Sequence, residues 1–173
     1  MSQFLNDSTQ NLLPYVPGEQ PKDKEYIKLN TNENPYPPTP KGEQAVKEEE
    51  SSKLRLYPEP DSSDLVKAIS EYYKINAENV FVSAGSDEAL AYCFMAFCSK
   101  DKEVLFPDIT YGFYKVYAQL FGLQTKTIPL KEDFTIDVSD YFENDGVVFL
   151  ANPNAPTGIL LSKREIERLL NAN

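Results

Sequence analysis

The chain has 173 residues, 41% of them hydrophobic and 25% charged, a balance that suits one globular domain or two small ones and excludes disordered and collagen-like chains. Seventeen Lys and Arg against 27 Asp and Glu give a net charge of −10, the wrong sign for gripping a phosphate backbone, so no nucleic-acid partner is expected. No run approaches the roughly 20 apolar residues of a membrane span, and Met1 to Asp7 lack the basic and apolar regions of a signal peptide, so a cytoplasmic protein with no membrane partner is expected.

Histidine is absent, which removes Ser-His and Cys-His mechanisms and most transition-metal sites from this chain. The two cysteines, Cys93 and Cys98, lie in an apolar run without a second ligand pair and read as buried thiols, with no metal site.

Nine of the thirteen prolines fall in the first sixty residues, so residues 1–60 read as an extended arm with one short surface helix over Lys41 to Ser52. From Asp61 the composition changes, and residues 61–173 read as the globular part. Asp61 or Ser62 caps a first amphipathic helix carrying Leu65, Val66, Ile69, Tyr72 and Tyr73. Four apolar runs then alternate with helical stretches: Val80-Phe81-Val82, Glu103 to Phe106, Gln124 to Ile128 and Val147 to Leu150, with helices at about 86–99, 110–121, 137–143 and 162–171. The last opens on a capping box, Ser162-Lys163-Arg164-Glu165. This alternation predicts an α/β domain with a mainly parallel sheet and flanking helices. The helix after Gly85 is apolar nearly all round and is expected to be buried centrally.

Ligands of such sheets bind at the carboxyl ends of the strands, which directs attention to the loops after Val82, Phe106 and Leu150. Ser83-Ala84-Gly85-Ser86-Asp87-Glu88 opens a helix with a glycine. Backbone N–H groups there can converge on an anion, and the same residues equally suit a plain capped turn. Two carboxylates beside such a site count against a phosphate unless backbone donors hold it. Tyr111, beside Gly112, can stack on a planar ligand or simply pack on the sheet. Asn152 to Gly158 holds an irregular backbone whose side-chain donors are expected to face outward.

Taken together, Leu29 to Tyr36 (Leu-Asn-Thr-Asn-Glu-Asn-Pro-Tyr), Arg55-Leu56-Tyr57-Pro58-Glu59-Pro60, Ala84-Gly85-Ser86-Asp87-Glu88, Pro107-Asp108-Ile109-Thr110-Tyr111 and Asn152-Pro153-Asn154-Ala155-Pro156-Thr157-Gly158 resemble histidinol-phosphate aminotransferase. That family belongs to the pyridoxal 5'-phosphate (PLP) aminotransferases of fold type I, and the motifs run in order over almost the whole chain. The resemblance implies that the backbone around Gly85, Ser86 and Asp87 holds the cofactor phosphate and that Tyr111 stacks on the pyridine ring. It further implies that Tyr57 reaches across a homodimer interface to the neighbouring subunit's cofactor, and that Tyr15 and Asn32 line the substrate pocket. The implied reaction exchanges an amino group between histidinol phosphate, an amino-acid-like phosphate ester, and the 2-oxo acid 2-oxoglutarate, in histidine biosynthesis.

Two departures stand out. Where most of the superfamily has Asn-Pro-Thr-Gly, with the asparagine donating to the cofactor's ring oxygen, this chain has Ala155-Pro156-Thr157-Gly158, so either Asn154 or Asn152 supplies that amide or the ring oxygen relies on other donors, with Asn154 the preferred candidate. The family also places its Schiff-base lysine and the acidic partner of the pyridine nitrogen after this segment. None of the fourteen lysines sits in such a turn, and Lys115, the nearest to the site, reads as a solvated helix residue. The chain therefore resembles the first part of a large PLP-binding domain preceded by its arm, is expected to contain no catalytic residue of its own, and should be inactive alone. With about four strands of a larger sheet it should also leave apolar surface uncovered, and so be marginal or associate.

An aromatic amino-acid aminotransferase or a threonine-phosphate decarboxylase would share this cradle, although Asn32 to Tyr36 favours the first reading. A non-catalytic phosphate-binding module is the reading from another class, but neither G-x-x-x-x-G-K-[ST] nor G-x-G-x-x-G occurs. All PLP readings require the turns at 84–88, 111 and 152–158 to converge.

Overall fold

The computed structural model describes residues 7–13, 19, 23, 27–48 and 55–173. It forms two compact units, one of residues 1–15 and 83–173 and the other of residues 16–82.

In the unit of residues 16–82, an irregular stretch places Thr31 and Asn32 in the left-handed region, with φ of 65° and 54°. Helix α1 (Asp7–Gln10) is one short turn of the other unit; helix α2 (Pro40–Glu48) begins on a proline, which has no N–H to leave unsatisfied, and Thr39 Oγ1 accepts from Gly42 N at 3.2 Å. Its described side chains are largely exposed, as its charge predicts; residues 49–52 of the expected helix lie outside the described residues. Helix α3 (Ser63–Tyr73) starts where expected, but its cap differs. Ser62 sits in the left-handed region with no side-chain cap, and the Glu59 carboxylate instead accepts from Ser63 N at 2.8 Å.

A 3₁₀ turn at Ala77–Asn79 follows, and then comes the first correction. Val80-Phe81-Val82 is not a strand. Val80 has extended torsions, φ −116° and ψ 120°, but a strand exists only through its ladder, and the sheet among the described residues has the order β2-β1-β3 without this segment.

The second unit is built on a three-stranded parallel sheet in the order β2-β1-β3, with β1 at Val104–Pro107, β2 at Thr125–Ile128 and β3 at Val147–Val148. Val104 lies opposite Thr125 on one side and Val147 on the other. Every residue of β1 is buried because the strand is central and covered on both faces. Side chains alternate across it. Val104 and Phe106 pack with Phe94, Tyr114, Tyr117 and Ala118, under helices α4 (Ser86–Phe97) and α5 (Phe113–Phe121). Leu105 points to the other face and packs with Ile128 and Tyr141, where Leu169 of helix α6 (Lys163–Asn171) joins them. The expected helix at 137–143 shrinks to a 3₁₀ turn at Val138–Tyr141, capped by the Asp137 carboxylate, and that at 110–121 begins only at Phe113.

Helix α4 is the second correction. Only Phe94 is buried, while Met95 is 64% and Phe97 68% exposed. The sheet and α5 cover one stripe of the helix, and no second layer among the described residues of this unit covers the other.

Beyond β3 a groove of about 500 Å³ runs between that strand and α6, lined by Val147, Val148, Leu150, Ile166, Leu169 and Leu170 among others. Part of the apolar surface expected to lie uncovered is here. Among the described residues no helix is long and apolar enough to cross a membrane.

Gly146 enters β3 so close to β1 that a Cβ would stand 2.3 Å from the Glu103 carbonyl oxygen and 2.7 Å from Leu105 Cδ1. Because backbone blocks it, Gly146→Ala is expected to cost about 2–3 kcal/mol, read as a lower urea midpoint by circular dichroism at fixed protein concentration. A midpoint equal to the parent's would refute the close approach. Tyr141 is 1% exposed and its hydroxyl has no partner among the described residues. Tyr141→Phe should therefore leave the midpoint unchanged or raise stability by up to about 1 kcal/mol, and a clear loss would reveal a bond to that hydroxyl.

Candidate functional site

The carboxyl edge of the sheet is organised by the loop that leaves β1. Asp108 Oδ1 accepts from Ile109 N at 2.8 Å and from Leu130 N at 3.0 Å, joining this loop to the one after β2. Thr110 Oγ1 donates to Asn154 Oδ1 at 2.8 Å, joining it to the loop after β3. The Tyr111 hydroxyl donates to Asp87 Oδ1 at 2.7 Å, joining it to the start of α4. The three turns at 84–88, 111 and 152–158 thus converge.

At the start of α4, Gly85 has φ +88°, a conformation that L side chains rarely adopt, and nothing lies within 4 Å of where its Cβ would be. The first intrahelical bond runs from Ala89 N to Gly85 O, so the amides of Ser86, Asp87 and Glu88 have no acceptor within the helix, Gly85 has no side chain to cap them, and no side chain among the described residues does so. Helix α6 behaves otherwise, since Ser162 Oγ accepts from Glu165 N at 3.2 Å as its capping box predicts.

The two carboxylates that counted against an anion here are engaged elsewhere. Asp87 receives Tyr111, while Glu88 accepts from Ala84 N at 2.7 Å and from the Tyr92 hydroxyl at 3.3 Å. Gly85 and Ser86 are exposed and Asp87 is half-buried. An open helix start with three uncapped amides, a positive end of the helix dipole and no Cβ at its lip suits a phosphate held by backbone.

Tyr111 is half-buried, with the Phe113 ring nearly parallel at 5.7 Å and Tyr114 edge-on at 5.8 Å. Its ring is therefore held from the side as well as by its hydroxyl. Burial pushes the Tyr114 hydroxyl above its usual pKa; burial, then the nearby Asp87 charge, does the same for Tyr117. Both remain neutral across the physiological range.

Asn154 corrects the picture of a loop with outward-facing donors. It is 2% exposed, and its amide donates to Ile109 O at 2.9 Å and to Thr157 Oγ1 at 3.2 Å while its oxygen receives Thr110. Its backbone N donates to Ile159 O at 2.9 Å, and its carbonyl accepts from Gly158 N at 2.6 Å. Asn152 braces the same loop, accepting from Leu161 N at 2.8 Å.

Of the residues singled out by sequence, Gly85, Ser86, Asp87, Tyr111 and Asn154 are brought together in this unit. Tyr57 and Asn32 belong to the other unit, where Tyr57 is fully exposed and Asn32 is an exposed left-handed turn residue. Tyr15 lies outside the described residues. Lys115 is exposed on α5, as read. The sequence reading gave no role to Thr110, Asp108 or Glu88 as ties between loops, nor to Tyr117, whose hydroxyl donates to the Asp87 carbonyl at 2.8 Å. A threonine and an aspartate directly after a strand were the available signals for the first two.

A parallel sheet covered on both faces, with its strand-end loops cross-tied around an open helix start, defines an α/β domain of the kind that binds ligands at the carboxyl ends of its strands. Residues 24–173 match the family model for aminotransferase class I and II, and the chain belongs to that family. It is 54% identical over 170 residues to a histidinol-phosphate aminotransferase of Brachyspira hyodysenteriae, covering 98% of this chain and 48% of that protein. It is 53% identical over 173 residues to one of Clostridium acetobutylicum, covering 100% and 49%. In fold it is similar to the crystal structure of a histidinol-phosphate aminotransferase from Sinorhizobium meliloti in complex with pyridoxal-5'-phosphate, with a TM-score of 0.70 at 19% identity over 78% of this chain and 38% of that one. The chain spans about half the length of the curated relatives it matches.

Asn154→Ala should strand the Ile109 carbonyl and cut the tie to Thr110. The expected loss is about 2–3 kcal/mol, together with faster hydrogen exchange at Ile159 and Gly158. Exchange at those amides unchanged from the parent would show that the loop holds itself without the side chain.

Proposed function

We propose that this chain supplies the phosphate- and ring-holding part of a PLP-dependent aminotransferase that acts on histidinol phosphate with 2-oxoglutarate in histidine biosynthesis. The carrying observation is the convergence of the three loops through Tyr111 to Asp87 and Thr110 to Asn154, around a helix start with three uncapped amides. The 54% identity to named histidinol-phosphate aminotransferases supports the substrate class, and the PLP-bound structural neighbour supports the cofactor.

In this reading the N–H groups of Ser86, Asp87 and Glu88 hold the phosphate dianion, with Gly85 clearing room for it. Tyr111 offers its ring to the pyridine, with the hydroxyl fixed on Asp87 so that the ring cannot swing. Asn154 fixes the backbone beside that ring, and donation to the ring oxygen would require its amide to give up its longer bond, that to Thr157. Bound there, the cofactor would act as the electron sink for the substrate's α-carbon. The reactive lysine is not among the residues of this site, so the chain alone is read as inactive. Residues 1–60 serve as arm and dimer contact and residues 61–173 as the first part of the large domain. The exposed Tyr57 is available to a second subunit of a cytoplasmic homodimer, and Asn32 and Tyr15 belong to the substrate pocket. The two free thiols suit a reducing compartment.

Titration of the ¹⁵N-labelled chain with PLP and with unphosphorylated pyridoxal tests the cradle. PLP is expected to shift the amides of Gly85, Ser86, Asp87 and Glu88, and pyridoxal to leave them in place. Equal responses to the two compounds, or responses confined to other residues, would remove the phosphate-cradle reading. The substrate reading is tested in a chimera that joins this chain to the remaining half of the Clostridium acetobutylicum relative. Turnover of histidinol phosphate well above that of phenylalanine is expected, and a strong preference for phenylalanine would overturn it.

A further inference from the structure

The mechanism above uses Tyr111 but leaves a second tyrosine on the same residue unexplained. The Tyr117 hydroxyl donates to the Asp87 backbone carbonyl at 2.8 Å, from helix α5 to the first turn of α4. Tyr117 is 9% exposed, its ring lying 5.5 Å from both Phe94 and Phe113 and 6.3 Å from Phe121. Aromatic packing alone would place a phenylalanine here equally well, so the hydroxyl needs its own account.

The carbonyl it meets belongs to the peptide group that joins Asp87 to Glu88. In a trans peptide the C=O and N–H point in opposite directions, and in a helix the N–H faces the amino-terminal end. The Glu88 N–H is one of the three amides left without an intrahelical acceptor. Donation to the carbonyl oxygen draws electron density from the N–H across the same peptide, and such chained hydrogen bonds strengthen one another. Two hydroxyls thus act on Asp87: that of Tyr111 fixes its side chain, and that of Tyr117 fixes and polarises its peptide.

We propose that Tyr117 is a positioning residue of the phosphate cradle, acting through the Asp87–Glu88 peptide to sharpen the Glu88 N–H as an anion donor. This rests on the cradle reading given above. Burial and the Asp87 charge both keep the Tyr117 phenol protonated, so it stays a donor throughout the neutral range.

The test titrates the ¹⁵N-labelled chain with inorganic phosphate and follows the Glu88 amide. Tyr117→Phe is expected to weaken phosphate binding about three- to tenfold, the effect of losing one neutral hydrogen bond, and to shift the Glu88 amide proton upfield. Phe121→Leu loosens the same aromatic cluster while keeping the hydroxyl, so it should lower the unfolding midpoint and leave phosphate affinity within about twofold. If Tyr117→Phe fails to fold, 3-fluorotyrosine at position 117 keeps the ring and donates more strongly, and it should move the Glu88 proton downfield and tighten binding. A parent chain whose Glu88 amide responds to phosphate, with affinity indifferent to both changes at 117, overturns the role of Tyr117 and leaves the cradle standing. A parent chain with no response at 86–88 overturns the cradle and this inference with it.

Discussion

The site depends on one short loop. Asp108, Thr110 and Tyr111, three of the four residues that follow β1, each form a bond to a different neighbour: the loop after β2, the loop after β3 and the start of α4. Because β1 is central and completely buried, this loop leaves from the most fixed strand of the sheet. Two surrounding loops and a helix start are positioned by reference to it. Their convergence is a consequence of strand order as much as of the side chains, since only a central strand has neighbours on both sides for its loop to reach.

The same ties reduce the electrostatic objection to an anion beside Asp87 and Glu88, because neutral donors orient and solvate both carboxylates although they leave the charges in place. A carboxylate near a phosphate is unfavourable when its charge is unopposed. Here the Asp87 carboxylate accepts a tyrosine hydroxyl and that of Glu88 a backbone amide and a second tyrosine, so each is stabilised by donors of the protein. The backbone amides of the same residues remain available. One turn of helix therefore directs its acidic side chains to internal donors and leaves its first N–H groups without an acceptor in the helix, a separation of side chain from main chain that residue type alone does not show.

That separation marks the limit of what the sequence revealed. The sequence pattern located β1, β2 and β3 to within a residue or two, because Val104-Leu105-Phe106 and Val147-Val148 are apolar runs bounded by turns and β2 carries the β-branched Thr125, Thr127 and Ile128, and Ser162 to Glu165 predicted a cap that exists. Val80 to Val82 carries the same apolar signal and is no strand, because pairing depends on a partner and not on the segment's own composition. Helix α4 was expected at the centre of the fold for a related reason: an apolar helix reports what it would bury, not which layers stand beside it. Gly85, Asp87, Tyr111 and Asn154 were legible as loop residues of unusual type, while the bonds that unite them span 24 and 44 positions of sequence and could not be read from spacing. Tyr117 was less visible still, since its partner is a carbonyl that every residue possesses.

The distribution of pairing across the sheet has a consequence for the site. β1 and β2 share four rungs, but β3 is held to β1 by two, at Val147 and Val148, with Phe149 N adding one bond to Leu105 O. The loop carrying Asn154 hangs from this weaker strand, and the side of β3 facing the groove is lined with Val147, Val148 and Leu150 against the apolar residues of α6. The tie from Thr110 to Asn154 thus spans the least firmly held part of the edge. Apolar cover over that groove would restrict β3, and through β3 the backbone of residues 152–158, without touching the helix start at Gly85. The helix start at Gly85 and the loop carrying Asn154 therefore rest on different parts of the sheet: the first on the buried centre beneath α4 and α5, the second on how well the outer edge of β3 is closed.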